Sequence, residues 1–232
     1  MTGHPLWRRA IAEFLGTGLL VTVVVGSGIA AQRLSTDTGL QLLENSIATA
    51  LGLGVLILLL APVSGAHFNP VVSLADALLG GRTGLPAREL AVYPPVQILG
   101  GIAGAVLANA MFAVPTSIST TARATPATFL AEVVATAGLV LLIMGLTRAG
   151  RSAPVVAIAI GGYIGAAYWF TSSTSFANPA VTIGRIFTDT FAGIAPASVL
   201  PFLAAQLLGG AVAAALTPIL FPRAVTGTSG RR

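Results

Sequence analysis

The sequence predicts an all-α membrane protein with six transmembrane helices and two re-entrant half-helices, built as an inverted duplicated repeat. Of its 232 residues, 55% are hydrophobic and only 8% are charged, a balance typical of integral membrane proteins. Six long apolar segments follow one another along the chain. Two short polar interruptions, Asn69-Pro70 and Asn178-Pro179, lie 109 residues apart, one in each half.

The remaining composition excludes several classes of function. All 12 basic residues are arginines scattered at the ends of apolar runs, without the basic and aromatic face of a nucleic-acid-binding protein. The chain has no cysteine, so disulfides and thiolate metal sites are excluded. It has no phosphate-binding glycine loop, metal-ligand cluster or nucleophile-base constellation. We therefore expect no enzymatic activity, no cofactor, no metal and no nucleic-acid partner.

Six segments are long enough to cross a hydrocarbon core, which needs about 20 helical residues. The first follows a short basic stretch, is too long for the core of a signal peptide and lacks a clear cleavage site. Residues 32–44 are predicted to form a polar connection after it. The six spans are predicted near residues 10–31, 45–63, 91–114, 128–147, 153–171 and 198–221.

Two shorter apolar stretches of about a dozen residues begin at Asn69 and Asn178. At about 1.5 Å of rise per residue each reaches about 18 Å, roughly half a bilayer. Asparagine is a good N-cap and proline is favoured at the first helical position, so each Asn-Pro predicts a helix start. If the asparagine oxygen caps its own helix, the NH₂ group is left to donate into the space between the two halves. Together with two helix N-termini, such donors would repel cations.

Other polar residues also occur once in each half. Glu13 and Glu132 each precede an Asn-Pro pair, and Gln97 and Gln206 each follow one by 28 residues. Because three crossings per repeat is an odd number, the second repeat is predicted to be inverted relative to the first. The boundaries are predicted as residues 8–114 for repeat one, 115–127 for the linker, 128–222 for repeat two and 223–232 for a disordered tail.

The arginines predict the orientation in the membrane. Six crossings place both termini on one side, with nine arginines on that side against Arg33, Arg123 and Arg185 on the other. Basic residues are enriched in cytoplasmic loops. We therefore expect a multi-pass protein of the cell inner (plasma) membrane with both termini cytoplasmic.

The motifs together resemble the aquaporin, or major intrinsic protein, family. The likeness extends over residues 8–222. It rests on the segment 12–17 (Ala-Glu-Phe-Leu-Gly-Thr), the segment 64–73 around the first Asn-Pro, the second Asn-Pro-Ala (178–180), and both Gln97 and Gln206. Membership would imply a passive channel in the lipid bilayer, assembled as a homotetramer with one pore in each subunit.

The resemblance also implies roles for individual residues. Two asparagine motifs would form the pore midplane: Asn69, Pro70, Val71, Asn178, Pro179 and Ala180. Backbone carbonyls would form a ladder of acceptors at Gly65, Ala66, His67, Phe68, Thr174, Ser175, Phe176 and Ala177. The buried carboxylates and amides of Glu13, Glu132, Gln97 and Gln206 would be structural, with the carboxylates holding the loop backbones.

The outer constriction departs from the family pattern. Most aquaporins have an arginine directly after the second Asn-Pro-Ala, where this chain has Val181, and Arg185 four residues later is expected to face neighbours or the surface. A water-selective member would also have an aromatic residue on span two and a histidine on span five. The predicted constriction is formed by the small residues Thr49, Ala166, Ser175 and Val181, which imply a wider, uncharged mouth.

A wide mouth favours solutes larger than water, and the second motif is similar to that of divergent bacterial aquaporins linked to arsenic resistance. This resemblance implies passage of arsenite and related neutral metalloid hydroxides, with glycerol and water also possible solutes. The first alternative is a general water and glycerol channel. The second is a proton-coupled secondary transporter, which would need a titratable group at the solute site; the only buried candidates are Glu13 and Glu132.

Overall fold

The computed structural model describes residues 3–222 and contains six helices that are long and apolar enough to cross a membrane. The predicted all-helical class with six spans is confirmed. Numbered in chain order, the long helices are α1 (Leu6–Leu34), α2 (Thr38–Ser64), α5 (Tyr93–Met111), α6 (Pro126–Arg148), α7 (Ala153–Phe170) and α9 (Pro196–Leu220), with the short α4 (Ala87–Leu90) extending α5 at its start.

Two short helices begin inside the bundle. They are α3 (Pro70–Leu79) and α8 (Pro179–Gly184), and the second continues as a 3₁₀ turn over Arg185–Phe187. Each begins with proline after an asparagine N-cap, which removes one unsatisfied N–H and satisfies others. These are the predicted re-entrant half-helices, and the second is shorter than the dozen residues expected because its last turn tightens.

The six long helices give the molecule two ends. We call the end where α1 begins and α9 stops the terminal face, and the end crossed by residues 112–125 between the repeats the linker face. Helix α1 packs against α2 and α5, and its counterpart α6 packs against α7 and α9. Helices α2 and α7 join the two halves, and α8 packs on α5. The half-helices therefore approach each other from opposite faces.

Glycines bring α1 and α5 into close contact. A Cβ at Gly104 would lie 2.1 Å from the carbonyl oxygen of Gly18, and one at Gly100 would lie 2.3 Å from that of Phe14. The hydroxyl of Thr22 donates to the Gly104 carbonyl across this contact at 3.1 Å. Small residues are the usual means by which membrane helices approach closely. Here they fix α1 beside α5.

The predicted connection at residues 32–44 is wrong. Helix α2 begins at Thr38, so only three residues, 35–37, separate it from α1. Asp37 caps the helix by accepting from the Leu40 N–H at 2.8 Å, and this cap starts the helix before the apolar run. The predicted disordered tail, 223–232, lies outside the described residues.

Candidate functional site

A cavity of about 550 Å³ lies between the two repeats. Its wall includes residues near the terminal face, such as Arg9 and Arg151, and residues near the linker face, such as Tyr168 and Arg185. Both motif asparagines line it midway. Much of the remaining wall is aliphatic, from Leu20, Val24, Leu53, Ile57, Leu139, Ile143, Val156, Ile160 and Ile164.

The two asparagines lock the loops together at the centre. The side-chain oxygen of Asn69 accepts from the Val71 N–H at 2.9 Å, and its amide nitrogen donates to the Ala177 carbonyl at 2.8 Å. Asn178 mirrors this arrangement, accepting from the Ala180 N–H at 2.9 Å and donating to the Phe68 carbonyl at 2.8 Å. A primary amide has two N–H donors, so each asparagine has one remaining N–H for a molecule in the cavity.

The loop before each asparagine has an unusual backbone. In the first loop Gly65, Ala66 and Phe68 have positive φ, and in the second Thr174, Ser175 and Ala177 do. Non-glycine residues rarely adopt this conformation, and such strain persists only where surrounding contacts impose it. The matching pattern in both loops gives the two backbones one shape.

Each loop is held by one buried glutamate. Glu13 accepts from the Ser64 hydroxyl at 2.6 Å and from the backbone N–H groups of His67 and Phe68 at 3.0 and 2.7 Å. Gln97 completes the set by donating to the second carboxylate oxygen at 2.7 Å. The carboxylate therefore orders the strained loop.

The second repeat has an equivalent set. Glu132 accepts from the Ser173 hydroxyl at 2.7 Å, from the Phe176 and Ala177 N–H groups at 2.8 Å, and from the Gln206 amide at 2.7 Å. Neither glutamate is part of the cavity wall, and both are fully buried. Four hydrogen bonds to each carboxylate explain how it can be buried.

The glutamines also contact the half-helices. Gln97 donates to the Ser73 hydroxyl on α3 at 3.0 Å, and Gln206 donates to the Thr182 hydroxyl on α8 at 2.9 Å. Each glutamine amide thus joins a glutamate to a half-helix, and lies outside the cavity wall. Ser73 and Thr182 were not singled out from the sequence, although they lie at the same position in the two repeats.

The predicted carbonyl ladder lies partly along the cavity. Gly65, Ala66, His67, Phe68, Ser175 and Phe176 belong to its wall, whereas Thr174 and Ala177 do not. The carbonyls of Phe68 and Ala177 accept from the asparagines, so their first role is to fix the midplane. Pro70, Val71, Pro179 and Ala180 shape the helix starts behind the wall.

Near the terminal face, charged residues pair beside the cavity. Arg9 contacts Glu89 at 2.5 Å and lies over the ring of Tyr93. The His67 imidazole lies 3.7 Å from the Asp76 carboxylate, which also accepts from the Leu85 N–H at 2.9 Å. These contacts hold the segment after α3 against the bundle.

Near the linker face, the wall differs from the predicted constriction. Thr49, Ser175 and Val181 line the cavity as expected, but Ala166 lies on the exposed face of α7. The aromatic residue Tyr168 takes its place and shares a 3.1 Å hydrogen bond with Thr49. The assignment of Ala166 is wrong because residues 160, 164 and 168 form the inward row of this helix, at a spacing of about one turn.

Arg185 is also not where the sequence analysis placed it. Its side chain is buried and lines the cavity, with its guanidinium carbon 3.5 Å from the centroid of the Phe176 ring. Its Nε donates to the Ala192 carbonyl. Arg185 therefore contacts neighbouring residues, one of the two expected alternatives, and does not face the surface. The expectation of an uncharged mouth is wrong, because this arginine also lines the cavity.

The loops around the linker face are tied together by polar contacts. Arg123 donates to the carbonyls of Gly193 and Phe191 at 2.6 and 2.7 Å, and burial lowers the pKa of its guanidinium. The Asp189 carboxylate accepts from the Thr120 N–H at 2.9 Å, which helps to lower the pKa of that carboxyl. Within residues 3–222 no group of three or more His, Asp or Glu side chains is placed to hold a metal ion.

Comparison with known proteins gives one consistent family. The family model described as major intrinsic protein matches residues 1–177. Aquaglyceroporin AqpS of Rhizobium meliloti (strain 1021) is 51% identical over 217 residues, covering 93% of this chain and 91% of that protein. The glycerol uptake facilitator protein of Pseudomonas aeruginosa is 34% identical over 173 residues, covering 64% of this chain and 60% of that protein.

Among solved structures, the aquaglyceroporin from Plasmodium falciparum matches with a TM-score of 0.69. The match covers 96% of this chain and 98% of that one at 23% sequence identity, so it supports the fold alone. The family model stops one residue before Asn178, but the alignment with the Rhizobium protein spans nearly the whole chain.

Proposed function

Because the chain belongs to the major intrinsic protein family, we propose that it is a passive channel for small uncharged solutes that carry hydroxyl oxygens, with glycerol and water as the main class. Arsenous acid, the neutral trihydroxide form of arsenite, belongs to the same chemical class. The chain is not an enzyme, since members of this family conduct solutes without chemical change.

The pair of asparagines in the cavity wall carries this proposal. One N–H of each amide is used to hold the opposite loop, and the other donates to an oxygen that passes between them. Both half-helices begin here, so their positive ends add to a field that repels cations. A neutral solute oxygen is stabilised at this point and a metal cation is not.

The rest of the cavity suits a molecule with one polar and one apolar side. The loop residues 65–68 and 175–176 form a polar stripe, and the aliphatic residues of α1, α2, α6 and α7 form the wall around it. A carbon backbone bearing hydroxyls, as in glycerol, contacts both surfaces at once. Passage of a neutral molecule also avoids the cost of moving a charge through the bilayer.

The buried glutamates argue against a proton-coupled transporter. Coupling needs a titratable group that contacts the solute or the proton path, and Glu13 and Glu132 are each enclosed by four hydrogen bonds outside the cavity wall. Their role in this proposal is to hold the loops.

We also propose arsenite as a solute, on two grounds. This proposal rests on the likeness of the second motif to aquaporins linked to arsenic resistance and on the neutral trihydroxide chemistry of the solute. Tyr168 and Arg185 in the wall make the mouth less open than the sequence suggested, so size alone does not favour arsenite over glycerol. Measuring arsenite uptake and glycerol uptake in the same vesicles shows which of the two solutes the channel prefers.

The likeness to the family also supports a proposal for the assembly and location of the chain. The outer surfaces of the long helices expose large apolar side chains, including Leu15, Leu51, Leu59, Ile158 and Leu200, and lipid or neighbouring subunits would cover them. We propose a homotetramer in the plasma membrane with both termini cytoplasmic. Mass measurement in detergent and cysteine labelling at each face of sealed vesicles test these two statements.

The proposal is tested by Asn178→Asp, which keeps an oxygen for the N-cap but removes both N–H donors. We expect glycerol flux into proteoliposomes to fall about tenfold, since one hydrogen bond to the solute is lost, and cation leakage to rise. Asn109→Asp is the matched control, because Asn109 is also buried and donates to the Phe187 carbonyl at 2.9 Å, but lies outside the cavity wall. Equal effects of the two variants would contradict the proposal.

A further inference from the structure

Arg185 is a buried cation without an acidic partner. It is 3% exposed, and no ion pair joins it to a carboxylate among residues 3–222. Its side chain donates from Nε to the Ala192 carbonyl and stacks on the Phe176 ring. A guanidinium has five N–H donors, so the four on the Nη atoms have no acceptor within the described part of the chain.

An unpaired buried charge is costly unless something solvates it. The surroundings of Arg185 offer one source of solvation, because its side chain belongs to the wall of the central cavity. Water or a solute oxygen in the cavity therefore completes the hydrogen bonding of the guanidinium. The hydrogen-bond acceptor of the arginine is then the water or solute that passes through the cavity.

Arg185 lines the part of the cavity near the linker face. It lies seven residues after Asn178, about 10 Å further along the half-helix at helical rise. Val181 lies four residues before it, on the same face of the helix, and both line the cavity. The cavity wall at this level also includes Tyr168 and Phe176.

We propose that Arg185 is a specificity-determining residue of this channel, which supplies the mouth near the linker face with the positive charge that Val181 lacks. This inference rests on the proposed channel function. The guanidinium donates to solute hydroxyl or water oxygens and repels cations before they reach the asparagines. Because the charge lies at Arg185, one helical turn from Val181, the wall at Val181 is apolar. The hydroxyl oxygens of a polyol therefore contact the wall at Arg185, and its carbon atoms contact the wall at Val181.

The surrounding residues hold the guanidinium in this place. The Phe176 ring stacks on it, and the Arg123 guanidinium lies 5.4 Å from the centroid of the same ring. Phe176 is itself fixed by its N–H bond to Glu132 and by an edge contact with Phe202. Arg123 donates to the Gly193 and Phe191 carbonyls and is not part of the cavity wall. Arg185 is therefore the arginine at this level that meets the solute.

The absence of cysteine from the whole chain makes a charge-restoring experiment possible. In proteoliposomes of Arg185→Cys, we expect the sodium leak to rise at least about tenfold over the unaltered protein, because a unit charge beside the path is removed. Attaching an ethylammonium group to the cysteine through a methanethiosulfonate should return the leak to within about twofold of the starting value. Attaching the corresponding sulfonate should leave it high or raise it further.

Arg33→Cys is the matched control. Arg33 also lies near the linker face, stacks on a phenyl ring (Phe112, 5.4 Å) and donates to a carbonyl, but it is exposed and outside the cavity wall. Neither reagent should change the leak of this variant. Arg185→Lys, which keeps the charge, should exclude sodium as the unaltered protein does, and it provides the test if the cysteine variant does not fold.

Two results overturn the inference. One is an Arg185→Cys channel that conducts glycerol and excludes sodium before and after both reagents. The other is an Arg185→Lys channel that is folded, conducts water and leaks sodium. Failure of the proposed function looks different, since vesicles of the unaltered protein would then conduct neither glycerol nor water above the lipid background.

Discussion

At the scale of single residues, Val181 marks the level of the cavity that carries no charge. We expect Val181→Arg to narrow this level and to add a second guanidinium one turn from Arg185, since both residues line the cavity. Glycerol flux should fall by about tenfold or more, while water flux falls less, because water passes a narrower opening. Stopped-flow light scattering on the same vesicles measures both. Equal loss of the two fluxes would instead indicate misfolding or a misassigned wall.

The strained loops give a second prediction for single residues. Thr174 is β-branched and has φ of 61°, whereas its counterpart Gly65 in the first loop has φ of 94°. Glycine adopts positive φ without steric cost, so Thr174→Gly should raise the free energy of unfolding by about 0.5–1 kcal/mol. Thermal unfolding in detergent measures the change.

The exchange in the other loop is the control for this prediction. Gly65→Thr should lower the free energy of unfolding, because it adds a β-branched side chain at positive φ. The new Cβ would also lie 3.3 Å from Nε2 of His67. If both substitutions shift the unfolding midpoint in the same direction, backbone strain at positions 65 and 174 does not determine the stability of the two variants.

Much of the central site could be predicted from single residues, because a residue found in one repeat is supported by its equivalent in the other repeat. Asn69 and Asn178, and likewise Glu13 and Glu132, were found as pairs, and the structure gives the members of each pair equivalent partners. The wall near the linker face has no such pairing. Assigning Ala166 in place of Tyr168 turns the helix by about 200°, enough to exchange its inner and outer faces.

Arg185 was missed for a different reason. Its four-residue spacing from Val181 places the two on one helix face, which is a sign visible in the sequence. A charge one helical turn deeper along the half-helix was nevertheless expected to face neighbours or the surface. Burial against Phe176 and the Ala192 carbonyl depends on the fold of residues 188–194. That contact is tertiary and has no local pattern.

At the scale of helices, the contact between α1 and α5 sets the width of the first repeat. Gly104→Ala places a Cβ 2.1 Å from the Gly18 carbonyl oxygen, and because that atom is backbone, a helix must shift. We expect a loss of about 1–3 kcal/mol in the free energy of unfolding. Thermal unfolding in detergent provides the measurement.

Gly162→Ala is the matched control on another long helix. A Cβ there meets no atom within 4 Å, and alanine favours helix over glycine by up to about 1 kcal/mol. This variant should be neutral or more stable. A Gly104→Ala protein as stable as the unaltered one would show that α1 and α5 do not need this close contact.

The loops near the linker face should respond to acid. Hydrogen bonds from Thr120 to Asp189 lower the pKa of that carboxyl in the folded protein. The carboxylate therefore stabilises the loop contact above its unfolded pKa, and this support is lost as the pH falls through the lowered folded pKa, below about 4. Hydrogen exchange at residues 119–121 should quicken over that range. Asp189→Asn should remove the pH dependence.

The helices themselves were largely predictable and their ends were not. Long apolar runs identify the six spans, since the bilayer thickness fixes their length. Helix α2 begins seven residues before the predicted start because the Asp37 cap acts outside the apolar run. The second half-helix ends early because its last turn becomes 3₁₀ at Arg185, which hydropathy does not reveal.

At the scale of the whole molecule, two copies of one polar network meet at the centre. In each copy a glutamate, a serine and a glutamine hold a strained loop, and each loop offers a carbonyl to the asparagine of the other copy. These reciprocal hydrogen bonds join the two repeats at the centre of the cavity and hold the asparagine donors rigid. The duplication was visible in the sequence, but the reciprocal bonds between the copies required the structure.

The measurement that tests this account most directly is stopped-flow light scattering on proteoliposomes, comparing glycerol and water flux, with arsenite uptake measured in the same vesicles. We expect fast glycerol and water flux in the unaltered protein, reduced glycerol flux in Asn69→Asp and Asn178→Asp, and no such reduction in Asn109→Asp. Solute flux that persists unchanged in both motif variants would contradict the central claim that the paired asparagines form the conducting midplane.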